Sequence, residues 1–249
     1  MDVNNYLVTS YKEGFVPGPK ESFEDFQKRV TLIKKELASP ALFLEKLKIP
    51  YKTISFITPY YIAIESKKKL PFWFGAMTLI CEYEGVKIPI LELPKKRSFF
   101  VSNEEIIAHE KIHFLRSTFS EKRFEEILAY QTSPSFLRKT VGPIFQTPFE
   151  SYFCLILFAI LSLSPILPFL FFNFVLIVFA TCFITAFTRL FTYQWLFRKA
   201  LKNLSFRIKN GREIITLFTD QEIIDTAFNR PFEKNSPRWQ LILQIQKFY

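Results

Sequence analysis

Two histidines, three cysteines and six glycines are all that 249 residues contain, and each shortage closes off a class of function. Cys154 and Cys182 fall in an apolar run, which leaves no set of cysteines for the disulfide framework of a small secreted domain. The few glycines form no phosphate-binding loop. The sharpest shortage is local. Charged residues make up 22% of the chain, yet none occurs from residue 151 to residue 188, a run of 38. About 18 apolar residues already mark a membrane helix. The chain therefore reads as charged, water-facing protein interrupted by a membrane segment.

The net charge of +10 does not point to nucleic acid. Basic residues are spread over both polar parts and mixed with acidic ones, with no arginine-rich arm, zinc-finger spacing or RNA-binding aromatic signature. Beside a membrane run, the natural partner of that charge is the anionic headgroup layer of a lipid bilayer. The opening residues, "MDVNNYLVTSYKEGFVPG", lack the basic-then-apolar shape of a cleavable signal. The polar parts are accordingly expected in a reducing cytosol.

Helix is expected over residues 22–49. Phe23, Phe26, Val30 and Ile33 recur at helical spacing behind Ser22, a good N-cap, and Ser39-Pro40 breaks the pattern. Residues 51–98 read as β-structure, with a hairpin at Glu84-Gly85. Pro89 lies inside the second run of that hairpin and predicts a sheet edge, either a plain edge or one to which an extended peptide adds as a strand. Ser102 and Glu105 fit a capping box for a helix over "VSNEEIIAHEKIHFLRS". A second helix is predicted from near Ser120, with Phe124, Ile127 and Leu128 as its apolar stripe and Ser133-Pro134 as its end. Near the C-terminus "NGREIITLF" reads as a strand, "TDQEIIDTAF" as a capped amphipathic helix and "RWQLILQIQKFY" as an apolar-patterned end.

The uncharged run divides at "SPILP", residues 164–168, whose two prolines predict a hairpin of two passes of roughly 19 residues. Arg138 and Lys139 precede it, and Arg189, Arg198, Lys199 and Lys202 follow. Basic flanks on both sides place both ends in the cytoplasm.

Both histidines sit in one stretch, "IIAHEKIHFLRS". On a helix, positions 109 and 113 are one turn apart on the same face, so both imidazoles can reach one metal ion. Histidine nitrogen suits zinc, and two histidines with a carboxylate leave a fourth position open, as in catalytic zinc sites. Glu110 projects about 100 degrees around the helix, beside the metal rather than onto it, where it can act as a general base. His109-Glu110-x-x-His113 is the zinc-hydrolase signature, and the alternative is a charged helix showing these side chains to solvent.

With the helix that follows, this stretch resembles the gluzincin metallopeptidases. Their third ligand is a glutamate on a following helix, which many membrane-associated members write Glu-x-x-Ala-Asp. The matching residues are Glu126-Ile127-Leu128-Ala129-Tyr130, and the resemblance covers about residues 102–131. It implies His109, His113 and Glu126 as zinc ligands and Glu110 as the base. Glu125 competes with Glu126, which is favoured by the small Ala129 three positions on. The step from His113 to Glu126 is shorter than familiar members use, so the two helices must form a tight antiparallel pair. Tyr130 stands where the family has an aspartate that orients a histidine. Its phenol can accept an imidazole N–H as a neutral partner, or donate to the substrate oxyanion. Arg116 either pairs with Glu125 or Glu126 or stabilises the helix end.

The expected fold is α+β: a zincin-like helix pair with a small β-sheet, interrupted by a two-helix transmembrane hairpin. It divides into a cytoplasmic catalytic part (1–140), the hairpin (141–198) and a cytoplasmic α/β region (199–249). The expected function is that of a membrane-anchored zinc metallopeptidase acting on peptides or membrane-proximal protein segments, with no nucleic-acid partner. The paired hydrophobic lobes also resemble the bilobed segment of chlamydial inclusion-membrane proteins, which implies the alternative of a non-enzymatic membrane anchor or interaction protein.

Overall fold

The structure is a computed structural model that describes residues 2–58, 61–66, 76–93, 101–163, 168–206, 208, 210–231 and 235–247. Three helices come first: α1 (Val3–Lys12), α2 (Phe23–Leu37) and α3 (Pro40–Lys46). α2 starts where its N-cap dictates, because the Ser22 hydroxyl accepts the Asp25 amide at 3.1 Å. Its Phe26, Val30, Ile33 and Leu37 are all buried, one stripe turned to the core. Pro40 opens α3, a position where a missing N–H is harmless.

Four strands follow: β1 (Tyr51–Thr58), β2 (Tyr61–Ser66), β3 (Met77–Tyr83) and β4 (Val86–Leu93), in the order β1-β2-β4-β3. β3 and β4 form the expected hairpin. Glu84 and Gly85 both have positive φ, 51° and 74°, as a two-residue turn of this twist requires. The sheet edge is not the strand that Pro89 marks. β4 lies inside the sheet, parallel to β2 and antiparallel to β3, and the edges among the described strands are β3 and β1. Pro89 is accommodated because β2 pairs with β4 only from Leu91 onward, so at Pro89 the ladder runs on one side alone.

The remaining helices are α4 (Asn103–Leu115), α5 (Glu125–Tyr130), α6 (Phe136–Val141), α7 (Pro148–Ser162), α8 (Phe169–Ser205), α9 (Gly211–Ile215), α10 (Asp220–Ala227) and α11 (Pro237–Lys247), with a 3-10 turn at Gly142–Ile144. The chain is thus of the α+β class. α10 carries the capping box expected of it, Thr219 with Glu222. "NGREIITLF" is helical rather than a strand. Ile214, Ile215, Leu217 and Phe218 are all buried there, and a short run apolar on every side carries no period that separates buried helix from strand.

α8, 37 residues long, is the one described helix that is long and apolar enough by itself to cross a membrane. α7 has 15 residues and lies antiparallel beside it: Arg189 pairs with Glu150 near one end and Phe179 meets Phe158 further along. The two helices are therefore not the equal passes expected. α8 outruns the apolar stretch, and its last turns bury Leu196, Phe197, Ala200 and Leu204. The predicted turn falls on residues 164–167, outside the described residues. The first part of α8 is not covered by protein, for Phe169, Leu170, Ile177 and Ile184 are all exposed. Thr181 and Thr185 return their hydroxyls to carbonyls four residues back, so neither needs water as a partner.

One buried cluster joins residues from every part of the chain: Leu7 and Phe26, Ile62 and Ile90 of the sheet, Phe124 and Leu128 of α5, Phe197 and Leu204 of α8, and Phe218 and Leu241 beyond. Tyr61, Ala63 and Leu91 form a second, smaller cluster with Phe114 of α4. α4 is thereby laid on the sheet, its Phe114 ring stacked on Tyr61 with centroids 4.9 Å apart.

A buried ion pair ties α11 to α10. The Arg238 guanidinium donates to both Glu222 oxygens at 2.7 and 2.8 Å, and the Trp239 indole donates to the same carboxylate at 2.8 Å. Burial alone would raise the Glu222 pKa. The Arg238 hydrogen bonds and charge, with the Thr219 amide and the Trp239 indole, hold it below the ordinary carboxylate range instead. Removing the carboxylate by Glu222→Ala strands a buried guanidinium and is expected to cost about 3–5 kcal/mol in chemical denaturation. The pair's contribution is complete above the ordinary carboxylate pKa of 4.5 and lost as pH falls through the lower folded value. Stability should therefore fall more steeply below that pH in the native protein than in Glu222→Gln, which does not titrate.

Candidate metal centre

α4 and α5 pack as the tight antiparallel pair that the short step between their motifs requires. His113 faces Glu125, His109 faces Tyr130, and Glu105 faces Ser133. α5 begins at Glu125, five residues later than the sequence predicts. Ser120 takes a left-handed φ of 55°, which no helix continues. The amides of Arg123 and Phe124 then donate to the Asp220 carboxylate at 2.9 and 3.3 Å. Glu125 and Glu126 consequently occupy the first turn of α5, opposite the histidines.

At the start of α4, Ser102 accepts the Glu105 amide at 3.2 Å, but the capping box is only half formed. The Glu105 carboxylate is engaged elsewhere, accepting from the Ser133 hydroxyl and from Arg138. Glu105 thus links α4 to α6.

The two Nε2 atoms of His109 and His113 are 3.2 Å apart. The Glu126 carboxylate straddles them, one oxygen 3.7 Å from His109 Nε2 and the other 3.6 Å from His113 Nε2. With one oxygen taken for Glu126, the three ligand atoms all lie within 4.8 Å of one another. A tetrahedral ion with bonds of about 2.0–2.1 Å holds its ligand atoms about 3.4 Å apart. Two imidazoles and a carboxylate are donors for a borderline transition-metal ion, and their spacing fits one.

Glu125 is not a competing ligand. It takes His113 Nδ1 at 2.9 Å. A carboxylate can only accept, so Nδ1 carries a proton, and Nε2 is the nitrogen turned toward His109 and Glu126. Glu125 is thus placed to orient His113. Tyr130 meets His109 with its ring, edge to face, with centroids 4.7 Å apart.

Burial pushes the His109 pKa down to about 3, and the charge of His113 helps. Burial opposes the His113 cation as well, but the Glu125 hydrogen bond and the charges of Glu126 and Glu110 outweigh it and raise His113. Burial raises Glu126, with Glu125 and Glu110 adding to it against His113. The metal-free cluster thus has a carboxylate that resists ionising beside a histidine that holds a proton. A divalent cation at their focus favours the opposite states, two neutral imidazoles and an ionised carboxylate.

Glu110 is buried and accepts a hydrogen bond from the Thr78 hydroxyl on the edge strand β3. A cleft lies over the cluster. Met77, Thr78 and Ile80 of β3 line one side, and residues 145–147 with Ser151 and Tyr152 at the foot of α7 line the other. Tyr130 lines the same cleft.

Arg116 is the C-cap of α4, so its charge sits at the helix end as one expectation had it, but it is buried there rather than solvated. It is 2% exposed, pairs with neither Glu125 nor Glu126, and donates to the carbonyls of Thr216 at 2.9 Å and Phe218 at 2.7 Å. Asp220 and the carbonyls that Arg116 meets are not legible in the sequence, because contacts about 100 residues apart leave no local pattern.

No family model, no curated protein and no solved structure matches this chain.

A single divalent metal per chain is the expected stoichiometry, measured by elemental analysis of purified protein. His109→Ala, His113→Ala and Glu126→Ala should each abolish it. Glu125→Ala should weaken affinity about 10–100-fold without abolishing it, the effect of losing an orienting partner. Unchanged metal content in His109→Ala would rule the centre out.

Proposed function

We propose that the chain is a membrane-anchored zinc metallopeptidase of the gluzincin type, with its site on the cytoplasmic face of the bilayer. The observation that carries this reading is the convergence of His109 Nε2, His113 Nε2 and the Glu126 carboxylate on one point. Zinc, when bound by these three, would supply a Lewis acid that polarises the scissile carbonyl and lowers the pKa of a water to about 7.

The chain's own residues have separate tasks in this reading. Glu110, steadied by Thr78, accepts the proton of the attacking water and returns it to the leaving amine. Tyr130 stays protonated, since burial and then the charge of Glu126 raise its phenol pKa, and it donates to the oxyanion. The exposed edge of β3 aligns an extended peptide by strand addition across the cleft.

The membrane anchor is the α7–α8 pair, with α8 as the full-length pass and α7 carried beside it. The basic flanks, Arg138 and Lys139 before and Arg198, Lys199 and Lys202 after, place both ends and the site in the cytoplasm. Because the cleft includes the foot of α7, its substrates are peptides or protein segments close to the membrane.

The test uses full-length protein in phospholipid vesicles with a library of fluorogenic peptides. Glu110→Gln should keep its zinc and lose at least about 100-fold in turnover, the lower end of general-base contributions. Equal turnover in native protein and Glu110→Gln would overturn the enzymatic reading and leave a membrane anchor. Tyr130→Phe keeps the ring on His109 but removes the phenol. It should lower kcat by about 10²–10³-fold while zinc affinity holds.

A further inference from the structure

α6 leaves Phe136 and Leu137 uncovered, 77% and 70% exposed, with Val141 one turn beyond Leu137. Phe149 and Phe153 of α7 are also exposed, and their rings stack. Large apolar side chains left uncovered together mark an interaction site. The direction of α6 identifies the partner. The segment Phe136–Ile144 meets α7 at 84°. α7 runs antiparallel along α8, so with α8 crossing a bilayer, α6 lies close to the membrane plane.

Its depth follows from two hydrogen bonds. The uncharged residues of α8, Phe169 to Thr188, span about 30 Å, the thickness of the hydrocarbon layer. Arg189 ends that stretch and donates to the Ile144 carbonyl at 3.2 Å. The Gln194 side chain donates to the Lys139 carbonyl at 2.9 Å, which ties α6 to the part of α8 beyond Arg189. α6 is thereby held outside the uncharged stretch. The headgroup layers lie just outside that stretch, since a bilayer with a core of about 30 Å measures about 40–45 Å overall. Trp195 lies in the same part of α8, 53% exposed, with the Lys199 ammonium 4.8 Å from its ring centroid. Tryptophan and lysine at this depth are the usual interfacial anchors.

We propose that α6 is an in-plane lipid-binding helix, whose Phe136 and Leu137 enter the headgroup layer and hold the metal centre against the bilayer surface. This rests on α8 crossing the membrane and not on the metal or on hydrolysis. α6 is fastened to the centre on its other side. Arg138 donates to Glu105 of α4, and Gly142 lies so close to the Tyr130 ring that a Cβ there would collide with it. Tyr130 in turn packs on His109.

The test is spin labelling of the full-length chain in phosphatidylcholine–phosphatidylglycerol vesicles, with Cys81, Cys154 and Cys182 replaced by serine. Nitroxides are placed by Leu137→Cys on α6, Ile177→Cys on α8 and Leu42→Cys on α3. The expected result is that the labels at 137 and 177 collide with lipid-soluble oxygen in preference to an aqueous nickel chelate, while the label at 42 does the reverse. A label at 137 that meets nickel as freely as the one at 42, or is shielded from both reagents by protein, overturns the proposal. If the label at 177 also meets nickel, the membrane reading of α8 falls with it; if 177 is embedded and 137 is not, α6 alone is wrong. As a check that retains the native cysteines, p-benzoylphenylalanine in place of Leu137 should form a phospholipid adduct on irradiation in the same vesicles, read by mass spectrometry. The absence of that adduct, or an adduct with protein instead, overturns the proposal equally.

Discussion

The short turn between α4 and α5 is the constraint on which the His109–His113–Glu126 cluster depends, and residues a hundred positions downstream hold it shut. Arg116 reaches the carbonyls of Thr216 and Phe218, with its guanidinium 4.5 Å from the Phe119 ring centroid. Asp220 accepts the two amides that precede α5, while its own amide donates to Glu121 at 2.7 Å. A buried guanidinium without these acceptors would cost several kcal/mol. The turn and the C-terminal region therefore stand or fall together. Glu126 reaches the two histidines because this turn does not open.

That dependence explains which parts of the molecule were legible in the sequence. His109 and His113 were legible because helical spacing alone puts them on one face, and Glu126 through the resemblance of residues 126–130 to the gluzincin helix, with Ala129 favouring it over Glu125. The caps at Ser22 and Thr219 and the turn at Glu84-Gly85 are equally local. Pro89 misled because a proline reports one missing donor, not which strand lies outside. β4 is interior, yet unpaired on one side at that residue. Residues 211–218 misled because every apolar residue there is buried, which removes the period that distinguishes strand from helix. Glu125 was seen as a rival to Glu126, since adjacent carboxylates are equivalent until the fold shows which histidine nitrogen each one meets.

Two environments meet at Arg189. Toward the N-terminal end of α8 its large apolar side chains are uncovered, and toward the other end Phe197, Ala200 and Leu204 belong to the central core. The bidentate pair with Glu150, at 2.7 and 2.6 Å, sits at the junction and also fixes the segment that forms one wall of the cleft. The Glu150 carboxylate accepts the Gln146 amide at 2.9 Å, and the Gln146 side chain donates to the Arg123 carbonyl at 3.2 Å. A single uninterrupted helix thus has uncovered apolar side chains over part of its length and belongs to the fold that carries the cluster over the rest.

The order in which a ribosome delivers these pieces gives the Arg116 and Asp220 contacts a further meaning. The histidines emerge early, the apolar stretch after them, and the carbonyls and carboxylate that close the turn last of all. Domains generally fold from the N-terminus as they are made, but this cluster has to wait for residue 220. By then α8, long and apolar enough to cross a membrane, has already been synthesised. A chain that stops short of Thr216 carries the histidine motif without the acceptors that hold the turn between α4 and α5.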